Sequence, residues 1–103
     1  MNYQITTHAK ERFAQRFPTQ LSYSGVLREY AQKSEPAGNY LDVRLICNYA
    51  AHTYKEPTEF RIFKDIVMVF QVEPDLKRMM TVYPVREFTQ RITRVNNIYS
   101  LKA

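Results

Sequence analysis

The segment Ile66-Val67-Met68-Val69-Phe70-Gln71-Val72 is apolar at every position but one. A strand with apolar side chains on both faces must be covered on both sides of its sheet, so this segment predicts a central β-strand. Strand-like runs at residues 60–63 and 78–83 flank it, and short polar turns connect the three. Two hairpins in succession predict an antiparallel meander.

Helical patterns flank this meander. Residues 8–17 and 22–33 carry apolar side chains at helical spacing, with Pro18 ending the first helix, and residues 85–99 show a third such pattern. The alternating segment 40–47 predicts one further strand. The predicted fold class is therefore α+β, with two N-terminal helices packed on an antiparallel sheet of three to four strands and a C-terminal helix.

Length and composition narrow the class of protein. A chain of 103 residues, 45% of them apolar, can bury one core, so residues 1–103 are predicted to form a single domain. The net charge of +5 is a mild indication of a polyanionic partner. Because Cys47 is the only cysteine, an intrachain disulfide and a cysteine-based zinc site are excluded. Neither a membrane span nor a secretory signal is recognisable, so we expect a cytoplasmic protein outside the membrane.

A basic ladder lies near the start of the chain. His8, Arg12 and Arg16 are four residues apart, so on a helix they form one slanting stripe that suits a phosphate. Phe13 and Phe17 repeat on the neighbouring stripe. A helix that buries these two rings and leaves solvated cations elsewhere explains the pattern equally well.

Two motifs resemble those of the barnase/EndoU/colicin/RelE (BECR) ribonuclease superfamily of small bacterial and phage domains. They are the His-Ala-x-x-Arg-x-x-x-Arg pattern that begins at His8 and the Thr-Val-Tyr sequence that begins at Thr81. The resemblance implies a metal-independent RNA-cleaving toxin, or a relative of one, with its site on the sheet face beside the N-terminal helix. It implies catalytic roles for His8, Arg12, Thr81 and Tyr83, with Arg16 as a further substrate-binding residue.

The chemistry of RNA cleavage suits these residue types. RNA is cleaved without a metal when a base removes the 2′-hydroxyl proton, an acid protonates the leaving 5′-oxygen, and cations stabilise the charge on phosphorus. An imidazole can exchange a proton near neutral pH, so His8 is the candidate acid or base. Arg12 is the candidate phosphate clamp, because a guanidinium binds phosphate bidentately.

The last predicted strand supplies the hydroxyl groups. Strict alternation places Thr81 and Tyr83 on one face together with Met79, opposite Met80 and Val82. Tyr83 would then orient the phosphate, act as the complementary acid, or stack on a base. Alternatively, Thr81 and Tyr83 are ordinary strand formers whose hydroxyls lie in solvent.

The sequence leaves the roles of two further residues, Arg61 and His52, open. No cofactor or metal is expected. Arg61 is either a second substrate-binding residue or an edge-strand cation. His52 would complete a two-histidine acid/base pair, although a loop or strand-end histidine without that role is the stronger expectation. The two histidines have no third ligand at a recognisable metal-site spacing, and two glycines are too few for a Gly-rich phosphate loop.

The leading hypothesis is an endoribonuclease of the toxin type, whose partners are an RNA substrate and an antitoxin or immunity protein. The alternative is a non-catalytic regulatory module that binds nucleic acid or an acidic protein through the same basic face. A third possibility is a homo-oligomer formed through the C-terminal helix, because its apolar residues also fit a coiled-coil seam.

Overall fold

The computed structural model describes residues 2–20, 23 and 25–100. These residues form, in chain order, strand β1 (Asn2–Ile5), helix α1 (Thr7–Arg16), helix α2 (Val26–Lys33), strand β2 (Glu35–Pro36), a single 3-10 turn (Ala37–Asn39), helix α3 (Val43–Thr53), strands β3 (Thr58–Phe63), β4 (Ile66–Glu73) and β5 (Leu76–Pro84), and helix α4 (Val85–Ser100). The α+β class and the meander of β3, β4 and β5 are confirmed. The predicted start of the second helix at Ser22 lies outside the described residues.

The sheet has the strand order β1-β5-β4-β3-β2 and is mixed. β1 runs parallel to β5, whereas the other neighbours are antiparallel. The prediction of a wholly antiparallel sheet of three to four strands is therefore wrong at both edges. The two missed strands are four and two residues long, too short for an alternating pattern to stand out.

Both faces of β4 are covered, as its sequence predicted. On one face Met68 and Phe70 pack against α1 and α2, and on the other Val67 and Val69 pack against α3 and α4. The two N-terminal helices on the sheet and the C-terminal helix are thus confirmed, whereas α3, which packs beside α4 on the second face, was not predicted. Among the described residues, no helix is long and apolar enough to span a bilayer.

The segment predicted as a strand at residues 40–47 is mostly helical. Asp42 caps α3 by accepting a hydrogen bond from the backbone N–H of Arg44 at 2.9 Å. Ile46 and Tyr49, three residues apart, are buried against the sheet. The alternation at residues 41–45 misled because it ends within the first turn of the helix, and the spacing of three continues beyond it.

The apolar side of α4 packs on its own sheet. Phe88 and Ile92 are buried in the α3/α4 core, and Val95 packs against it. The stripe that would form a coiled-coil seam is therefore already covered over these positions. Tyr99, the last residue of the predicted repeat, has a side chain outside the described part of the structure.

A β-bulge interrupts β5 just before the predicted catalytic residues. Val69 pairs with Thr81 but Phe70 pairs with Met79, which leaves Met80 as the extra residue. Thr81 and Tyr83 do share a face, and Val82 lies opposite them. The bulge reverses the predictions for the two methionines, because Met79 is buried in the α1/α2 core whereas Met80 lines a cavity with Val69 on the other face.

Candidate functional site

The site lies at the edge of β5 that β1 leaves uncovered. β1 pairs only with residues 76–79 of β5. The Thr6 hydroxyl accepts a hydrogen bond from the N–H of Ala9 at 3.1 Å, capping α1, and donates one to the carbonyl of Met79 at 2.7 Å. α1 therefore begins where the β1–β5 pairing ends, and it packs against β5 beyond that point.

Arg16, the last residue of α1, joins the helix to this open edge. Its Nη1 donates to the carbonyl of Val82 at 2.8 Å and to the Thr81 hydroxyl at 3.3 Å. Its Nε lies 3.9 Å from a carboxylate oxygen of Glu87 in the first turn of α4. One guanidinium thus contacts α1, β5 and α4 together.

A second guanidinium, that of Arg91, also lies over the ring of Tyr83. The Cζ atoms of Arg16 and Arg91 lie 4.4 and 4.6 Å from the ring centroid. Arg91 Nη2 also donates to Glu87 at 3.4 Å. We call the set Arg16, Thr81, Tyr83, Glu87 and Arg91 the arginine–tyrosine cluster.

The cluster carries an excess of positive charge. Among the described residues, Glu87 is the only carboxylate paired with Arg16 or Arg91, so two cations share one anion. The Nε of Arg91 is buried and makes no hydrogen bond. Burial disfavours the charged form of Arg91, but Tyr83, Tyr49 and Glu87 outweigh it and raise the pKa of this guanidinium. Two neighbouring cations that share one anion are complementary to a further anion.

Two tyrosines associated with α3 border the cluster. The rings of Tyr49 and Tyr54 meet edge to face at 6.1 Å, and Tyr49 also packs against Phe88. Burial raises the pKa of both phenols, and the nearby Tyr83 raises it further. Both hydroxyls therefore keep their protons at neutral pH and can donate hydrogen bonds.

The structure brings three of the predicted site residues into contact: Arg16, Thr81 and Tyr83. Thr81 and Tyr83 are each 7% exposed, so their side chains do not simply lie in solvent. Because Tyr83 is buried, its ring offers little surface on which a base could stack. Orienting a phosphate or supplying a proton are the roles that remain for it.

His8 and Arg12 lie on the same stripe of α1 as Arg16. His8 is exposed in the first turn, and half-buried Arg12 donates to the side-chain oxygen of Gln15 at 2.7 Å. The helical rise places Arg12 about 6 Å and His8 about 12 Å from Arg16 along the axis. Neither makes a direct contact with Thr81 or Tyr83, because α1 packs on the opposite face of the sheet from these two side chains. The expected site on the face beside the N-terminal helix is therefore wrong, and Arg16 reaches Thr81 around the open edge of β5.

Arg61 lies apart from the cluster. It belongs to β3, two strands from β5, and pairs with Met68, whose side chain faces α1 and α2. Its guanidinium donates to the hydroxyl and the carbonyl of Ser34 at 2.7 and 2.6 Å, and to Glu59 at 3.1 Å. These bonds tie β3 to the end of α2, which assigns Arg61 a structural role and separates it from the other predicted substrate-binding residue.

Two cluster residues, Glu87 and Arg91, and the two bordering tyrosines were not predicted as site residues, and His52 lies elsewhere. His52 is exposed in the last turn of α3. In the sequence, Arg91 and Glu87 are polar positions of an amphipathic helix, and Tyr49 and Tyr54 are placed by α3, which was predicted in part as a strand.

In the described part of the chain, no three His, Cys, Asp or Glu side chains gather as a metal site. No protein-family model, curated protein or solved structure matches this chain.

Proposed function

We propose that this protein is a metal-independent endoribonuclease of the toxin type, acting in the cytoplasm, whose scissile phosphate binds at the arginine–tyrosine cluster. The observation that carries the proposal is the pair of guanidiniums over Tyr83, which share a single carboxylate beside the Thr81 hydroxyl. Such a site is poorly neutralised by its own side chains. A phosphodiester would supply the missing negative charge.

In the proposed reaction the 2′-hydroxyl oxygen of RNA attacks the adjacent phosphorus. Because the helical rise places His8 about 12 Å from Arg16, the 2′-hydroxyl proton passes to His8 through water molecules along the basic stripe. A bond forms between the 2′-oxygen and phosphorus, and the bond to the 5′-oxygen breaks. The leaving oxygen takes a proton from the Tyr83 phenol or from water. The products are a 2′,3′-cyclic phosphate and a 5′-hydroxyl end, and cleavage consumes no other reactant.

The cations stabilise the charge that develops on phosphorus. Arg16 and Arg91 act at the cluster, and Arg12 completes the clamp from the next turn of α1. Thr81, held by Arg16, positions a non-bridging oxygen. This assignment adds Arg91 to the residues implied by the BECR resemblance, and it does not include Arg61.

The test is cleavage of ribosomal, transfer and messenger RNA by the purified protein in EDTA, with the new ends identified. We expect cyclic phosphate ends and a rate loss of about 10²-fold or more for His8→Ala. His52→Ala, which removes another exposed histidine, is the matched control and should keep the wild-type rate. A folded wild-type protein that leaves all three RNAs intact would overturn the proposal.

One observation favours a binding module without turnover. Arg16 is already held by Val82, Thr81 and Glu87, which is the behaviour of a side chain that fastens a helix to a sheet. In that case the basic stripe only binds a polyanion. Arg12→Glu would abolish binding that falls steeply with salt, and His8→Ala would change nothing.

Toxicity on induced expression tests the biological part of the proposal. A toxin-type ribonuclease should arrest bacterial growth, and His8→Ala should relieve the arrest. An antitoxin or immunity protein is the expected partner, because a cell that makes such an enzyme must restrain it. Growth unaffected by wild-type protein made in full amounts would argue against the toxin class.

A further inference from the structure

A small cavity of about 130 Å³ lies on the α3/α4 face of the sheet, next to the arginine–tyrosine cluster. Val69 of β4 and Met80 of β5 line it, together with Tyr54. Met80 reaches this face only because of the β-bulge, which places two successive residues of β5 on one side. A flat aromatic ring and a polarisable thioether thus border the same space.

Polar groups also line this cavity. Gln71 lies two residues after Val69 on β4, and Lys55 and Glu56 follow Tyr54. Of the described residues, none forms a hydrogen bond with the side-chain amide of Gln71 or an ion pair with the Glu56 carboxylate. An amide, a carboxylate and an ammonium group therefore offer donors and acceptors to whatever occupies the cavity.

Two of the residues that line the cavity connect it to the proposed phosphate site. Met80 directly precedes Thr81, whose hydroxyl accepts from Arg16. Tyr54 contacts Tyr49, and both Tyr49 and Tyr83 pack against Phe88. One ligand could therefore place a group in the cavity and an anion at the cluster.

We infer that this cavity is a nucleobase-binding subsite, which takes the base of a nucleotide that flanks the scissile phosphate. The inference rests on the proposed function. A nucleobase is flat and aromatic, carries donors and acceptors on one edge, and is linked to a phosphate by its sugar. The Tyr54 ring and the Met80 thioether suit the flat aromatic base, and the polar lining groups suit its edge. The neighbouring cations suit the phosphate.

Abasic substitution tests the subsite within each variant. The substrate is an oligodeoxynucleotide with one ribonucleotide, so that only one bond can be cleaved, and the base on either side of that bond is removed in turn. For wild type, loss of one of these two bases should lower kcat/KM by roughly 5- to 100-fold. For Gln71→Ala and Met80→Ala, the ratio of kcat/KM with the base to kcat/KM without it should fall towards one. Gln90→Ala, on the exposed side of α4, should keep the wild-type ratio.

A second readout does not need activity. An all-deoxy oligonucleotide carrying 2-aminopurine cannot be cleaved, and its fluorescence should be quenched on wild-type protein and much less on Met80→Ala. The subsite is overturned if wild type cleaves the substrate and base removal has no effect. It is also overturned if both cavity variants keep the effect of base removal. In either case the proposed function stands. Quenching that depends on Met80 without cleavage of RNA supports the subsite and overturns the proposed function. Absence of both overturns both.

Discussion

Replacing Arg16 by alanine removes the contact that fastens α1 to the open edge of β5. The hydrogen bond to the Val82 carbonyl is 2.8 Å long and comes from a charged donor, a class that contributes about 1.5–3 kcal/mol. The cation–π contact with Tyr83 at 4.4 Å adds about 0.5–2 kcal/mol. The pair with Glu87 at 3.9 Å contributes little by comparison.

An opposing effect reduces this sum. Arg16 and Arg91 are like charges over one ring, so removing one of them relieves repulsion. We therefore expect Arg16→Ala to lower the free energy of unfolding by about 2 kcal/mol, near the lower end of the sum. For a chain of this size, that loss lowers Tm by on the order of 10 °C.

Urea unfolding measures this loss directly. The midpoint should fall while the slope stays constant, since the amount of surface exposed on unfolding hardly changes. Arg12→Ala is the matched control, because it removes the same residue type one turn earlier, where, among the described residues, the guanidinium bonds only to Gln15. It should change stability by less than about 0.5 kcal/mol. Equal stabilities of the two variants would refute the assignment of Arg16 as the residue that closes the edge.

The other predictions concern packing and pH. Asn96 is buried, donates to the carbonyls of Leu45 and Ile92, and accepts from Asn48. Asn96→Ala should therefore lower the free energy of unfolding by about 1–3 kcal/mol in a denaturant titration. Replacement of the exposed Asn97 by alanine is the control and should be nearly neutral. Burial raises the pKa of Glu59, but Lys77 and Arg61 outweigh it and lower the pKa below its ordinary value. The stabilisation from these pairs is therefore complete above the ordinary carboxyl pKa and is lost as the pH falls through the lowered one. Glu59→Gln should weaken the acid dependence of stability, and an unchanged dependence would contradict this origin.

The parts of the fold that were predictable have long, consistent patterns. β4 is apolar on both faces, and α1 and α4 place apolar residues at helical spacing over two or more turns. The short strands β1 and β2 lack such a signal, because their pairing depends on where α1 and α2 bring them. The first half of α3 was wrongly predicted as a strand, because residues 41–45 alternate before the helical spacing of Ile46 and Tyr49 begins.

The candidate site was predictable only in its residue types. The ladder of His8, Arg12 and Arg16 follows from spacing alone, but its contact with Thr81 depends on the short reach of β1, which leaves the edge of β5 open. The bulge at Met80 breaks strict alternation, and nothing in the local sequence marks it. Arg91 joins the cluster because α4 packs back over the sheet face that carries Tyr83, a placement that depends on tertiary structure.

The most direct test of the central claim is kcat/KM for RNA cleavage by Arg91→Ala, with Arg94→Ala as the control from the same helix. If the two guanidiniums over Tyr83 form the phosphate clamp, Arg91→Ala should lose on the order of 10²-fold or more while keeping a wild-type circular dichroism spectrum. Exposed Arg94→Ala should stay within about twofold. Equal activity of the two variants would contradict the clamp.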